Sequence, residues 1–120
     1  MNRILIADDE EILRMLICDT LEEFNFTIDE AGNGLDALNK MQQNSYDLVF
    51  LDYMMPDLTG IEVIERLSPK YKEKTPIIML TAKAQESDRQ IAMEKGAKYF
   101  ISKPFSPIKL ISFVEELINA

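Results

Sequence analysis

Four short apolar runs in this chain stop on residues that can do chemistry. R-I-L-I-A runs into Asp8-Asp9, L-V-F-L into Asp52, I-I-M-L into Thr81, and Y-F-I-S into Lys103. Taken singly, each has an ordinary explanation: Asp8 or Asp9 can cap the helix that begins near Glu11, Thr81 can open a turn, and Lys103 can be a solvated loop lysine. Together they place three carboxylates, a hydroxyl and an ammonium just beyond four strand-like segments. In an open parallel sheet those ends lie along one edge, which is where such sheets bind ligands. Convergence of this kind is hard to attribute to capping.

Carboxylates gathered within a few ångströms raise one another's pKa unless a cation lies among them. The set therefore implies a hard divalent cation. Mg2+ suits it best, because Mg2+ accepts one or two carboxylates, a carbonyl and several waters and readily shares phosphate oxygens; Mn2+ is the alternative. With a metal and Lys103 supplying positive charge, one carboxylate is free to attack phosphorus and form an acyl phosphate. Asp52, on the middle strand, is the candidate nucleophile. Asp8 and Asp9 would hold the metal from the side, Thr81 would bond one phosphoryl oxygen, and Lys103 would pair with another.

The elements that must position these residues follow from hydrophobic periodicity. Strands are expected at Arg3 to Ala7, Thr27 to Ala31, Asp47 to Leu51, Ile77 to Leu80 and Tyr99 to Ser102. Helices are expected at Glu11 to Phe24, Leu35 to Gln43, Gly60 to Leu67, from a cap at Ser87 or Asp88 to Lys95, and from Ser106-Pro107 onward. S-P-K-Y-K-E-K, from Ser68 to Lys74, reads as a solvated loop. Strands without polar/apolar alternation, alternating with helices, predict a doubly wound α/β fold: a five-stranded parallel sheet with helices on both faces. The strand Thr27 to Ala31 ends in Gly32-Asn33, without charge. The order 2-1-3-4-5 makes it an outer edge and leaves the four chemically equipped ends as neighbours.

Composition narrows the functions available. A chain of 120 residues, 47% hydrophobic and 28% charged, is one domain's worth and has no run of the ~20 apolar residues that a membrane span needs. Met1 leads almost directly into the first strand without an export signal, so a cytoplasmic location is expected. The net charge of -8 argues against direct nucleic-acid binding. The absence of histidine removes His-based triads, His-ligated zinc and any phosphohistidine on this chain. The lone Cys18 reads as a small hydrophobe.

D-D-E at Asp8 to Glu10, L-D-Y-M-M-P at Leu51 to Pro56 followed by D-L-T-G, L-T-A at Leu80 to Ala82, and S-K-P-F at Ser102 to Phe105 resemble the receiver domain of bacterial two-component response regulators. The resemblance covers the whole chain, residues 1–120, in order, and implies a flavodoxin-like fold. It assigns Asp52 as phospho-acceptor, Asp8 and Asp9 as the magnesium-placing pair with the backbone carbonyl of Met54 as a further ligand, Thr81 as switch hydroxyl, Phe100 as switch aromatic and Lys103 as phosphate-pairing lysine, with Lys103-Pro104 cis. It also implies a partner: a sensor histidine kinase or histidine phosphotransfer protein as donor. A downstream protein target would be met by the face formed from the helix ending at Lys95, the fifth strand and the last helix. Met54 and Lys83, two residues beyond Asp52 and Thr81, would flank the route of attacking water and tune phosphoryl lifetime.

Receivers joined to winged-helix DNA-binding domains carry an acidic pair before the switch aromatic and an arginine in the last helix, where this chain has Lys98-Tyr99 and Phe113. That dimer is therefore not expected; a monomer or weak dimer is, as a stand-alone phosphorelay intermediate or a switch that docks on a protein. A receiver excised from a longer regulator, or a non-phosphorylated interaction module, is the alternative. An aspartate-nucleophile phosphatase would want an acid where Met54 stands. A nucleotide- or flavin-binding module would want a phosphate-cradling loop where Asp8-Asp9-Glu10 repels one.

Overall fold

The apolar runs form the strands of one parallel sheet. The computed structural model describes residues 2–82 and 86–118. Strands β1 (Arg3–Ala7), β2 (Thr27–Ala31), β3 (Leu48–Asp52), β4 (Ile77–Thr81) and β5 (Tyr99–Ser102) lie in the order β2-β1-β3-β4-β5. They alternate with helices α1 (Glu11–Leu21), α2 (Gly34–Gln43), α3 (Gly60–Glu65), α4 (Pro69–Lys74), α5 (Glu86–Lys95) and α6 (Pro107–Ile118). Every pairing is parallel, and the register sets Ala7 beside Leu51, Asp52 beside Leu80 and Thr81 beside Ser102.

Why the strands lack alternation is visible in the two cores. Ile4, Ile6, Leu48, Phe50, Ile78 and Leu80 face α1 and α6 through Ile17, Leu21, Leu110 and Val114. Their neighbours Leu5, Ala7, Val49, Leu51, Ile77 and Met79 face the other way, onto Ala37, Leu38 and Met41 of α2, Val63 and Ile64 of α3, and Ala92 of α5. Each fully buried Leu or Ile contributes about 1.5–3 kcal/mol, so both faces must be apolar for the central strands to hold. β2 is the thinly covered edge, fully burying only Ala31. Among the described residues no helix is long and apolar enough to cross a membrane.

Several boundaries differ from expectation. The first helix stops at Leu21 and its continuation, Glu22–Phe24, is a 3-10 turn closed by Asn25 at φ 57°. Asp19, Glu22 and Glu23 put negative charge at the negative end of a helix dipole, with no basic residue to offset it. Pro69–Lys74 is a helix, not a loop: Ser68 caps it by accepting the Tyr71 N–H at 3.1 Å, with Pro69 in the first turn. The same Ser-Pro signal begins α6, where Ser106 accepts from Lys109 at 3.1 Å. α3 ends at Glu65 because the Arg66 and Leu67 N–H groups turn back to Val63 and Ile64 at 3.1 Å each. α2 begins at Gly34 with Asn33 as its cap, and α5 begins at Glu86. β3 runs through Asp52 and β4 through Thr81, so both side chains belong to their strands.

Candidate functional site

Backbone constraints bring the polar strand ends together. Asp8 follows β1 and its N–H is held by the Ala31 carbonyl at 3.0 Å. Arg14, one turn into α1, donates to the Asp8 carbonyl at 2.6 Å and pairs with Glu30 at 3.1 Å, fixing the β1 end against β2. The loop after Asp52 is pinned at both sides: Gly60 N–H reaches the Tyr53 carbonyl at 2.8 Å and Gly34 N–H reaches Pro56 at 3.1 Å. No side chain fits at either glycine. A Cβ on Gly60 would lie 2.4 Å from the Asp52 carbonyl oxygen, and one on Gly34 would lie 2.0 Å from that of Leu58. Thr59 and Glu62 form a reciprocal capping box that starts α3 directly behind this loop.

The resulting cluster is short of positive charge. Asp8 is fully buried and Asp52 and Thr81 nearly so, while Asp9 is exposed. One oxygen from each of Asp8, Asp9 and Asp52 falls within 4.8 Å of the others. The Lys103 ammonium is shared among Asp8 Oδ2 at 2.7 Å, Glu10 Oε1 at 3.3 Å and Asp52 Oδ1 at 3.5 Å. Asp52 Oδ1 also receives a long contact from the Met54 N–H at 3.4 Å. Burial and the neighbouring Asp8 charge push the Asp52 carboxyl up to about 7, against the opposing pull of Lys103. Burial would lower Lys103, but its contacts with Asp8, Asp52 and Glu10 outweigh that and raise its pKa.

Such a donor set fits a hard divalent cation. Three carboxylate oxygens lie in mutual reach, two of the residues sit beside one ammonium, and Asp8 Oδ2, although 2.7 Å from that ammonium, is a buried oxygen that no donor meets with hydrogen-bond alignment. Asp8, Asp9 and Asp52 are the side chains that could hold the ion. Asp9 and Asp52 line a cleft with Met54, Thr81 and Lys103, in which Met54 is more than half exposed.

Of the residues expected in the site, Asp8, Asp9, Asp52, Met54, Thr81 and Lys103 are brought together, and Lys103-Pro104 is cis. Phe100 stands apart, half-buried beside Met79 and packed against the core on the α2, α3 and α5 side. Lys83 lies outside the described residues. Two groups escaped the sequence reading: Arg14, which braces Asp8, and Glu10, whose only signal was its place in D-D-E. Lys98-Tyr99 and Phe113, noted for departing from a dimer pattern, are local: the Tyr99 and Phe113 rings lie 5.1 Å apart and the Tyr99 hydroxyl donates to Glu116 at 3.0 Å.

Comparison with known proteins is consistent with this arrangement. The family described as "Response regulator receiver domain" matches residues 4–115. The transcriptional regulatory protein ResD of Bacillus subtilis is 45% identical over 118 residues, 98% of this chain and 48% of that protein. SrrA of Staphylococcus aureus, also a transcriptional regulatory protein, is 43% identical with the same coverage. The chain thus spans about half the length of these curated relatives. Among solved structures, chemotaxis protein CheY4 of Vibrio cholerae superposes with a TM-score of 0.88 at 30% identity, covering 98% of this chain and 99% of that one. Response regulator TrrA of Thermotoga maritima, solved in complex with Mg(2+)-BeF, gives 0.85 at 36% identity, covering 98% and 100%.

Proposed function

Since the chain belongs to the response regulator receiver domain family of two-component signalling, we propose that it is a phosphorylated switch whose acceptor is Asp52. The observation that carries this reading is one ammonium shared by three carboxylates at the end of the central strands, with Asp52 raised to about 7. A carboxylate destabilised by its surroundings gains most when a cation and a phosphoryl group arrive together. Asp8, Asp9, Asp52 and the Met54 carbonyl would hold Mg2+, with Mn2+ as the alternative; the metal's role is to neutralise the oxygens of the transferring group.

This chain's residues do the rest. An Asp52 oxygen bonds to phosphorus as the P–N bond to the donor's imidazole breaks and the imidazole leaves with the electron pair, while Lys103 bonds one phosphoryl oxygen and Thr81 another. The donor is a phosphohistidine on a sensor kinase or phosphotransfer protein, which a chain without histidine cannot supply itself. Movement of Thr81 toward the phosphoryl oxygen leaves space into which Phe100 turns, and the α5-β5-α6 face repacks for a protein target. Without a hydroxyl, Phe100 contributes packing alone. The whole 120 residues act as one receiver, in the cytoplasm, as a monomer or weak dimer without direct contact to nucleic acid or membrane. Beryllofluoride binding tests this: it should be tight only when Mg2+ and Asp52 are both present, and binding that survives Asp52→Asn contradicts it.

A second reading has its own support. The curated relatives are transcriptional regulators about twice this length, which favours a receiver that governs an attached output domain in the natural protein. Sedimentation of the beryllofluoride complex distinguishes the two: a tight dimer favours the regulator, a monomer the docking switch.

A further inference from the structure

Glu10 makes a contact that its place in the helix does not require. It stands at the N-cap of α1, yet its side chain makes no capping hydrogen bond. Its N–H donates to Asp8 Oδ1 at 2.9 Å and its carboxylate reaches across to Lys103 at 3.3 Å. The two partners differ in setting, with the Glu10 side chain 63% exposed and that of Lys103 only 14%. Glu10 also borders two depressions at once. One is the cleft of about 380 Å³ that it shares with Asp52, Met54 and Thr81; the other is an apolar groove between Leu13 and Leu16 on one side and Pro104 and Phe105 on the other. It is thus a negative charge on the lip of the cleft, holding the lysine that must turn toward an incoming phosphoryl group.

We propose that Glu10 selects phosphoryl donors by charge, its carboxylate retaining Lys103 at the cleft mouth and disfavouring small, strongly anionic donors relative to less anionic ones. This rests on Asp52 being the acceptor. The ammonium has three N–H groups and three carboxylate neighbours. The geometry aligns an N–H of Lys103 with Glu10, while Asp8 and Asp52 are met as ion pairs, so a Lys103 that turns to a phosphoryl oxygen on Asp52 gives up the Glu10 contact, whose exposed carboxylate water can solvate on release. With acetyl phosphate, an Asp52 oxygen forms the new O–P bond while the P–O bond to the acetyl group breaks, and acetate leaves with the electron pair, no proton being transferred. With phosphoramidate the P–N bond breaks and ammonia leaves, its nitrogen protonated beforehand. The two reactions end in the same phospho-Asp52 but start from donors of different charge, acetyl phosphate being the more negative. A donor presented on a protein, by contrast, meets Glu10 through a surface whose own charges can compensate it.

The test compares initial rates of phosphorylation by the two small donors, in Mg2+, for wild type, Glu10→Gln and Glu10→Asp. Glu10→Gln should accelerate acetyl phosphate about 3–10-fold at low ionic strength, the scale of one exposed charge a few ångströms away, and phosphoramidate less than about twofold. The gap should narrow in about 0.5 M KCl, where exposed charges are screened. Glu10→Asp, which keeps the charge, should remain near wild type. Equal acceleration of both donors, no acceleration at any salt, or a Glu10→Asp variant that behaves as Glu10→Gln overturns the proposal. A wild-type protein that accepts from neither donor overturns the Asp52 reading instead.

Discussion

The two ends of the sheet contain the same kinds of charged residue and treat them in opposite ways. At the amino end, Arg3 pairs with Asp29 at 2.8 Å, Tyr46 donates to the same Asp29 oxygen at 2.7 Å, and the Arg3 N–H donates to Asp47 at 2.7 Å. Burial would raise Asp29, but hydrogen bonds from Tyr46 and Arg3 and the Arg3 charge more than offset it and hold the carboxyl below its usual range. At the carboxyl end, Asp52 has one shared ammonium at 3.5 Å and a long N–H contact, and is pushed up to about 7. A carboxylate with its own partners is structural. Carboxylates that outnumber their cations are poised to receive one.

That contrast can be broken most severely at Lys103. Lys103→Ala leaves a fully buried Asp8 and a nearly buried Asp52 without their ammonium, and in chelator it should cost about 2–4 kcal/mol in urea unfolding, since a buried carboxylate loses its compensating charge. Millimolar Mg2+ should restore part of the loss. Full stability without metal would show that Lys103 does not neutralise the cluster.

Asp52→Asn should do the reverse. Because the folded-state pKa of Asp52 is raised, the folded protein binds the extra proton between the unfolded value near 4 and about 7, so metal-free stability falls as pH rises through that window. Removing the carboxylate should therefore stabilise the metal-free protein by about 1–3 kcal/mol above pH 7 and change it little near pH 4. A loss of stability at neutral pH contradicts the strained-carboxylate account.

Met54 sharpens the comparison kinetically. Met54 stands over half exposed at the cleft, where water would approach a phosphoryl group carried by Asp52 in the proposed function. Met54→Asn should speed phosphate release several-fold, on the order of 1 kcal/mol in the barrier; an unchanged rate removes Met54 from the tuning role. The smallest effect belongs to the amino end. Asp29→Asn should cost about 0.5–1 kcal/mol at neutral pH, as expected for a partly exposed pair, and the difference should vanish only as pH falls through the lowered Asp29 pKa.

How far the sequence could be read divides along the same line. The carboxyl end is legible because each apolar run delivers its polar residue at a predictable edge, which sets Asp8, Asp52, Thr81 and Lys103 together. The amino-end network is not. Arg3, Asp29 and Tyr46 are 26 and 17 residues apart along the chain, and nothing in the strand pattern sets one against another. Glu10 was hidden for a different reason: its contact depends on how far a flexible Lys103 side chain reaches across the sheet edge. Ser68-Pro69 carries the same start signal as Ser106-Pro107, but the lysines and short length of α4 mask it in the sequence. Helix ends shifted where local charge or a tightened last turn overrode periodicity, as at Leu21 and Glu65.

In the proposed function Asp52 is the one carboxylate that forms an acyl phosphate. Exposure to acetyl phosphate with Mg2+, followed by borohydride reduction of the acyl phosphate and peptide mass spectrometry, reads it directly. The account predicts a reduced aspartate at Asp52 alone, absent in chelator and in Asp52→Asn. Modification at Asp8 or Asp9, or labelling that persists in Asp52→Asn, contradicts it.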